Sequence, residues 1–166
     1  MSSREGRLGE ECVEGWLTAL GWSCCERNMR FQGGEIDRVF LREHVKSSRL
    51  LDVCVAEIKT TRVRTIGQFH ALFAEGKMRT LVRPHQLRNL WRTAAQFESR
   101  IRSRRRAQVR TYVRYFLVVV APPRLIKRLS HEINSTPGSF PVRLCRTGSH
   151  EVILSWSPDL PPSNLS

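Results

Sequence analysis

Acidic residues are scarce in this chain. There are 15 Asp and Glu against 28 Lys and Arg, a formal charge of +13. Such an excess points to a polyanionic partner, nucleic acid first and an anionic membrane surface second. A basic protein without such a partner is the plainer alternative. Lysine is scarce too, since arginine greatly outnumbers it. Guanidinium forks match phosphate oxygens and stack on bases, which favours nucleic acid. Long apolar runs are lacking: the longest, Tyr115 to Ala121, is far too short to span a bilayer. The N-terminus lacks the apolar core of a signal peptide. These two absences lead to the expectation of a cytoplasmic protein with no membrane partner. No C-x-x-C pair occurs among Cys12, Cys24, Cys25, Cys54 and Cys145, and the count is odd. They read as reduced thiols in or near the core, with zinc held by Cys24, Cys25 and distant residues as the alternative. Internal repeats and low-complexity segments are absent. At 166 residues the chain reads as one domain with a small appendage, long enough to bury a core.

Periodicity then places the elements. Leu8, Cys12, Trp16 and Leu20 repeat at helical spacing, with Ser2 and Glu5 as a capping box and Gly21 to end the helix. Glu10 and Glu14 fall on its polar side. Trp22 to Arg27 reads as a strand and Asn28 to Gly34 as a turn. Gln68 to Ala74 is a short helical candidate between Gly67 and Gly76. Pro84 suits the first turn of a longer helix, whose stripe is Leu87, Leu90, Trp91, Ala94, Ala95, Phe97 and Ile101. Thr111 to Val120 is the clearest strand, and its continuous apolar character predicts a central place in a sheet. A short helix, Arg124 to Asn134, follows Pro122-Pro123. Pro137-Gly138 is a turn, and Pro141 to Arg146 pairs with Glu151 to Trp156 as a terminal hairpin. The expected organisation is a core over 1–121, an extension over 122–156 packed on it, and a loose tail over 157–166.

The chemistry gathers between Gly34 and Lys59. Gly34-Glu35-Ile36-Asp37 and Val53-Cys54-Val55-Ala56-Glu57-Ile58-Lys59 both read as strands, with Arg42 to Arg49 as a solvated hairpin loop. Side chains alternate along a strand, so Glu57 and Lys59 point the same way, and Asp37 can sit opposite. Two bare carboxylates about 4 Å apart repel by roughly 4 kcal/mol at a surface-like dielectric. A divalent cation between them turns that repulsion into attraction, and oxygen donors suit Mg²⁺ or Mn²⁺. Such a pair with a lysine suits metal-assisted phosphodiester hydrolysis. From spacing alone the same residues also read as strand-end charges on a solvated face. Against that, they follow the apolar run Leu50 to Ala56, which has to be buried.

Basic residues flank this stretch. Arg62, Arg64, Lys77, Arg79 and Arg83 follow it, as a flap over a phosphate backbone or as a plain surface insertion. Arg100, Arg102, Arg104, Arg105 and Arg106 end the long helix, with Arg110 beyond. Such a run is either a solvated face or a set of phosphate contacts. Each phosphate neutralised steepens the log–log salt dependence of binding to duplex DNA by about 0.9.

Taken in order, Gly6-x-x-Gly9-Glu10, Arg27-Asn28-x-Arg30, Gly34-Glu35-Ile36-Asp37 and Glu57-Ile58-Lys59 resemble the restriction-endonuclease-like superfamily, the PD-(D/E)xK nucleases. More narrowly the chain resembles the YraN family, which is similar to archaeal Holliday-junction resolvases. The likeness covers Gly6 to Ala121. It implies an α/β fold: a restriction-endonuclease-like core with a mixed central sheet flanked by helices, and a C-terminal helix and hairpin extension. It implies a metal-dependent DNA endonuclease, with Mg²⁺ or Mn²⁺ as cofactor and duplex or branched DNA as partner, and pairing of two copies as a homodimer. Asp37 and Glu57 would bind the metal, and Glu10 would join them from the helix. Lys59 would orient the attacking water. Glu35, of the same strand parity as Asp37, would face the site or cap the turn. The alternative is a catalytically silent nucleic-acid-binding module on the same scaffold.

Overall fold

The computed structural model describes residues 4–31, 34–44, 47–73, 83–133 and 142–157. Four helices alternate with six strands. They are α1 (Arg4–Ala19), β1 (Ser23–Phe31), β2 (Gly34–His44), β3 (Ser47–Arg62), α2 (Ile66–Phe73), α3 (Pro84–Arg105), β4 (Gln108–Val120), α4 (Pro123–Ile133), β5 (Val142–Thr147) and β6 (His150–Trp156). The sheet is mixed and six-stranded, in the order β1-β2-β3-β4-β6-β5. β1 with β2, β2 with β3, β4 with β6 and β5 with β6 are antiparallel. The architecture is the α/β, restriction-endonuclease-like one expected, and its terminal hairpin, β5 with β6, extends the sheet beyond β4. The chain divides into two compact units.

One unit holds residues 17–57 and 83–115. Its core is the apolar stripe of α3, with Leu90, Ala94, Phe97 and Ile101 set against Ile36, Val39, Leu51, Val53, Val55, Val109 and Val113. Pro84 opens α3, and the Gln86 side chain accepts the Arg83 N–H at 3.1 Å. Arg106 closes it in the left-handed region, φ 49°, with its N–H on the Arg102 carbonyl. Gly21, at φ 83°, stops the first helix as the sequence predicts.

The other unit holds residues 4–16, 58–73, 116–133 and 142–157 among those described. Here the second half of β4, Phe116 to Val120, is buried throughout and pairs with β6 from Phe116↔Trp156 to Val120↔Val152. Trp16 of α1 meets the Phe116 ring edge-on at 6.2 Å and the Trp156 ring at 4.5 Å. At Gly9 α1 approaches β3 closely: a Cβ there would lie 2.0 Å from the Thr60 hydroxyl oxygen. Only a residue without a side chain permits that approach.

Three readings of the sequence change. β1 continues through Asn28 to Phe31, because Asn28 takes φ 50° and the strand resumes beyond it. The predicted loop Arg42 to Arg49 is mostly strand: Arg42 pairs with Asp52 across the ladder and Glu43 with Leu51. Arg42 and His44 belong to a strand because both reach the buried Asp52 across the ladder, and only 45–46 lie outside the description. Glu10, expected on the polar side of its helix, is buried at 6% exposure. Ser2, Gly76, Lys77, Arg79, the Pro137-Gly138 turn and the tail from Pro158 onward lie outside the described residues. All five cysteines are free thiols, with Cys12 and Cys54 buried and Cys25 exposed.

Candidate active site

Asp37 lies on β2 and Glu57 on β3, and the register between these strands decides how they face. Arg38 pairs with Ala56, and every step from there to Glu43↔Leu51 keeps the same sum of residue numbers. Continued by one step, the same register would set Asp37 across from Glu57. Residues directly opposite in an antiparallel pair have Cβ atoms about 4.5–5.5 Å apart, within reach of one ion for two carboxylates. Glu57 is buried at 7% exposure and Asp37 is half-buried. The Tyr115 phenol senses both: burial pushes its pKa above the ordinary value, and the charges of Glu57 and then Asp37 push it further. Two negative charges therefore bear on one buried point beside the sheet. Arg38, buried next to Asp37, turns its guanidinium to the Asp37 carbonyl at 2.6 Å and to Asn28 Oδ1 at 3.4 Å.

Lys59 follows Glu57 by two residues on β3 and is exposed, so strand alternation puts both on one side of that strand. Glu10 adjoins Gly9, and Gly9 seats α1 on Thr60, the residue after Lys59. Glu35 is exposed and lies 3.4 Å from Arg30 Nε, its cross-strand partner. That ion pair gives it an occupation at the strand end.

Among the described residues no group of three or more His, Cys, Asp and Glu side chains could hold a metal ion. A pair of carboxylates is nonetheless a donor set that fits Mg²⁺, which commonly takes one or two protein carboxylates and fills its remaining positions with water and substrate phosphate. Hard oxygen donors also suit Mn²⁺.

The basic residues divide. Arg62 Nε donates to Glu5 at 2.8 Å, Arg102 pairs with Glu98 at 2.6 Å and Arg105 with Glu43 at 2.8 Å. Arg64, Arg100, Arg104 and Arg106 are exposed and have no carboxylate partner among the described residues. They keep full charge for an anion.

Two features escaped the sequence reading. Tyr115 sits inside an apolar run, and its place opening that run is the one signal it offers. Asp52 interrupts the run Leu50 to Ala56 yet is fully buried. Arg42, His44 and Arg110 surround it. A charged residue inside a buried strand is the sign that such partners must exist.

Comparison with known proteins places the chain. A model of the family described as "Uncharacterised protein family UPF0102" matches residues 9–127. The chain belongs to the UPF0102 family. This is the YraN-like family, so the likeness carried by Gly9-Glu10, Asp37 and Glu57-Ile58-Lys59 is a true one. A UPF0102 protein of Symbiobacterium thermophilum is 35% identical over 83 residues, which is 50% of this chain and 64% of that protein. The chain thus spans just under two thirds of that UPF0102 relative. No helix among the described residues is long and apolar enough to cross a membrane.

Proposed function

We propose that this UPF0102 chain is a Mg²⁺- or Mn²⁺-dependent DNA endonuclease that hydrolyses phosphodiester bonds in branched or otherwise structured DNA in the cytoplasm. One observation supports the reading: the β2–β3 register reaches Arg38↔Ala56, and one more step of it would set Asp37 across from Glu57, with Lys59 two residues further along β3. A divalent cation held there would polarise the scissile phosphoryl oxygen and stabilise the leaving oxygen. Asp37 and Glu57 bind, and their mutual repulsion without a cation makes the site selective for one. The Lys59 ammonium orients the attacking water and offsets charge growing on the phosphate. By the family resemblance, Glu10 would act on water. Arg64, Arg100, Arg104 and Arg106 contact the phosphate backbone without reading bases. A pair of copies would let two sites reach two strands, and a two-fold dimer is the common closed assembly.

The test is cleavage of a panel of linear, nicked, flapped and four-way DNA with Mg²⁺ or Mn²⁺. Cleavage is expected to need metal and to vanish in Asp37→Asn, Glu57→Gln and Lys59→Ala while DNA binding persists. Folded wild-type protein that leaves every substrate intact with either metal would defeat the reading. A donor set of two carboxylates rather than three favours one other reading, a DNA-binding module without turnover. It requires binding that is indifferent to metal and no cleavage of any substrate.

A further inference from the structure

The side of β2, β3 and β4 opposite the α3 core carries a cluster built around Asp52. The carboxylate is fully buried. Arg42 donates to Oδ2 from Nη2 at 2.8 Å and from Nε at 3.3 Å. His44 Nε2 lies 2.8 Å from the same oxygen, and Arg110 Nε donates to Oδ1 at 2.8 Å. Arg110 Nη2 is also 2.9 Å from His44 Nε2. Burial alone pushes the Asp52 carboxyl up, but hydrogen bonds from Arg42, Arg110 and His44 outweigh it and hold it below the ordinary carboxylate value. Aromatic rings stiffen the arrangement. The Arg42 guanidinium lies 4.4 Å from the Trp22 ring centre, Trp22 meets Tyr112 edge-on, and Arg114 lies 5.4 Å from the Tyr112 ring centre.

The charges do not balance. One guanidinium suffices to neutralise one buried carboxylate. Here two are committed to it, and Arg114 stands on the same face of β4 as Arg110. Arg42 and Arg110 have no other carboxylate partner among the described residues. Their side chains are 36% and 51% exposed, so each is held by part of its fork while the rest faces solvent. Fixed forks with surplus charge suit phosphate diesters, which accept planar pairs of N–H bonds.

We propose that the Arg42–His44–Arg110 cluster on Asp52, with Arg114 beside it, is a second phosphate-contact surface for the DNA backbone, separate from the arginines that end α3. It rests on the reading of the chain as a DNA-binding protein and is independent of whether cleavage occurs. Asp52 is a positioning residue: it fixes the forks and does not touch the DNA.

The test is the salt dependence of binding to a fluorescently labelled single strand and to its duplex, in chelator so that neither metal nor cleavage contributes. Asp52→Asn/Arg110→Gln replaces the ion pair by neutral amides and leaves no bare buried carboxylate. Its log–log slope is expected to be shallower by about 0.9 on duplex or about 0.7 on single strand, with binding several-fold weaker. Asp52→Asn alone, which removes the competing carboxylate, should bind at least as steeply as wild type. Arg146→Gln removes one charge from an arginine paired with Glu151 and should keep the wild-type slope. If the double variant does not fold, Arg110→Gln alone reads the same slope, because Arg42 and His44 remain on Asp52. A wild-type slope in the Arg110 variants, or an equal loss in Arg146→Gln, overturns the surface while leaving DNA binding intact. Arg110-dependent binding to anionic vesicles but not to DNA would assign the surface to a membrane and overturn it too. Wild-type protein that binds neither strand nor duplex overturns this surface together with the DNA-binding reading beneath it.

Discussion

Replacing Gly9 by alanine would push α1 away from β3. The new Cβ would lie 2.0 Å from Thr60 Oγ1, 3.2 Å from Thr60 Cβ and 3.5 Å from Val118 Cβ. The first distance must open by more than an ångström, since carbon contacts settle at about 3.5–4.0 Å. Thr60 is β-branched and confined at χ1, so its hydroxyl cannot swing away freely. Overpacking costs about 1–3 kcal/mol, a contact this short belongs at about 2–3 kcal/mol, and the better helix propensity of alanine returns about 1 kcal/mol. The net loss should be about 1–2 kcal/mol, a fall of roughly 2–8 °C in Tm for a chain of this size. Thr60→Ala removes the clashing oxygen, which is buried without a hydrogen-bond partner among the described residues, and leaves only the contact at 3.2 Å. Gly9→Ala/Thr60→Ala should therefore recover most of the loss, giving a coupling of about 1 kcal/mol or more. Thermal and urea unfolding of the four proteins measure it. Gly9→Ala as stable as wild type, or a double variant no better than Gly9→Ala, would refute the close approach that places Glu10 beside the strand end carrying Lys59.

The Asp52 carboxyl lies below its ordinary 3.8 in the fold. Between its folded and unfolded values the unfolded chain binds more protons, so stability falls as pH drops through that window and is fully present above it. Asp52→Asn should flatten the acid limb below about pH 4 in urea midpoints; an unchanged limb would show that Asp52 is not held as described. Phe116, fully buried on β4 against Trp16, should cost about 3–5 kcal/mol as Phe116→Ala by chemical denaturation, and a loss under about 1 kcal/mol would contradict its core position. Arg62→Ala breaks an ion pair between half-exposed side chains and should change stability by less than about 1 kcal/mol in the same assay.

Much of this was legible in the residues. The 3.6 period found α3 because its stripe, Leu90 to Ile101, is the face that packs. The unbroken run Phe116 to Val120 announced a central strand because both of its faces are covered. Asp37, Glu57 and Lys59 stood out because charges directly after a buried strand call for a reason. What escaped depended on partners distant in sequence. Arg42 and His44 looked like loop because they gather on Asp52, and Arg110, which completes that cluster, is 58 positions from Asp52 and 66 from His44. Glu10 looked solvated because helical spacing alone marked its side as polar, while the packing of α1 at Gly9 made it buried. Asn28 looked like a turn because its left-handed backbone is a turn habit, here absorbed within a strand.

The central claim is that Asp37 and Glu57 together hold a divalent cation. Titration of the purified protein with Mn²⁺, following free ion by electron paramagnetic resonance, tests it without any substrate. The expected result is a single site per chain, displaced by Mg²⁺ and lost in both Asp37→Asn and Glu57→Gln while the fold is kept. Mn²⁺ binding that is absent in the wild-type protein, or that survives in both variants, would contradict it.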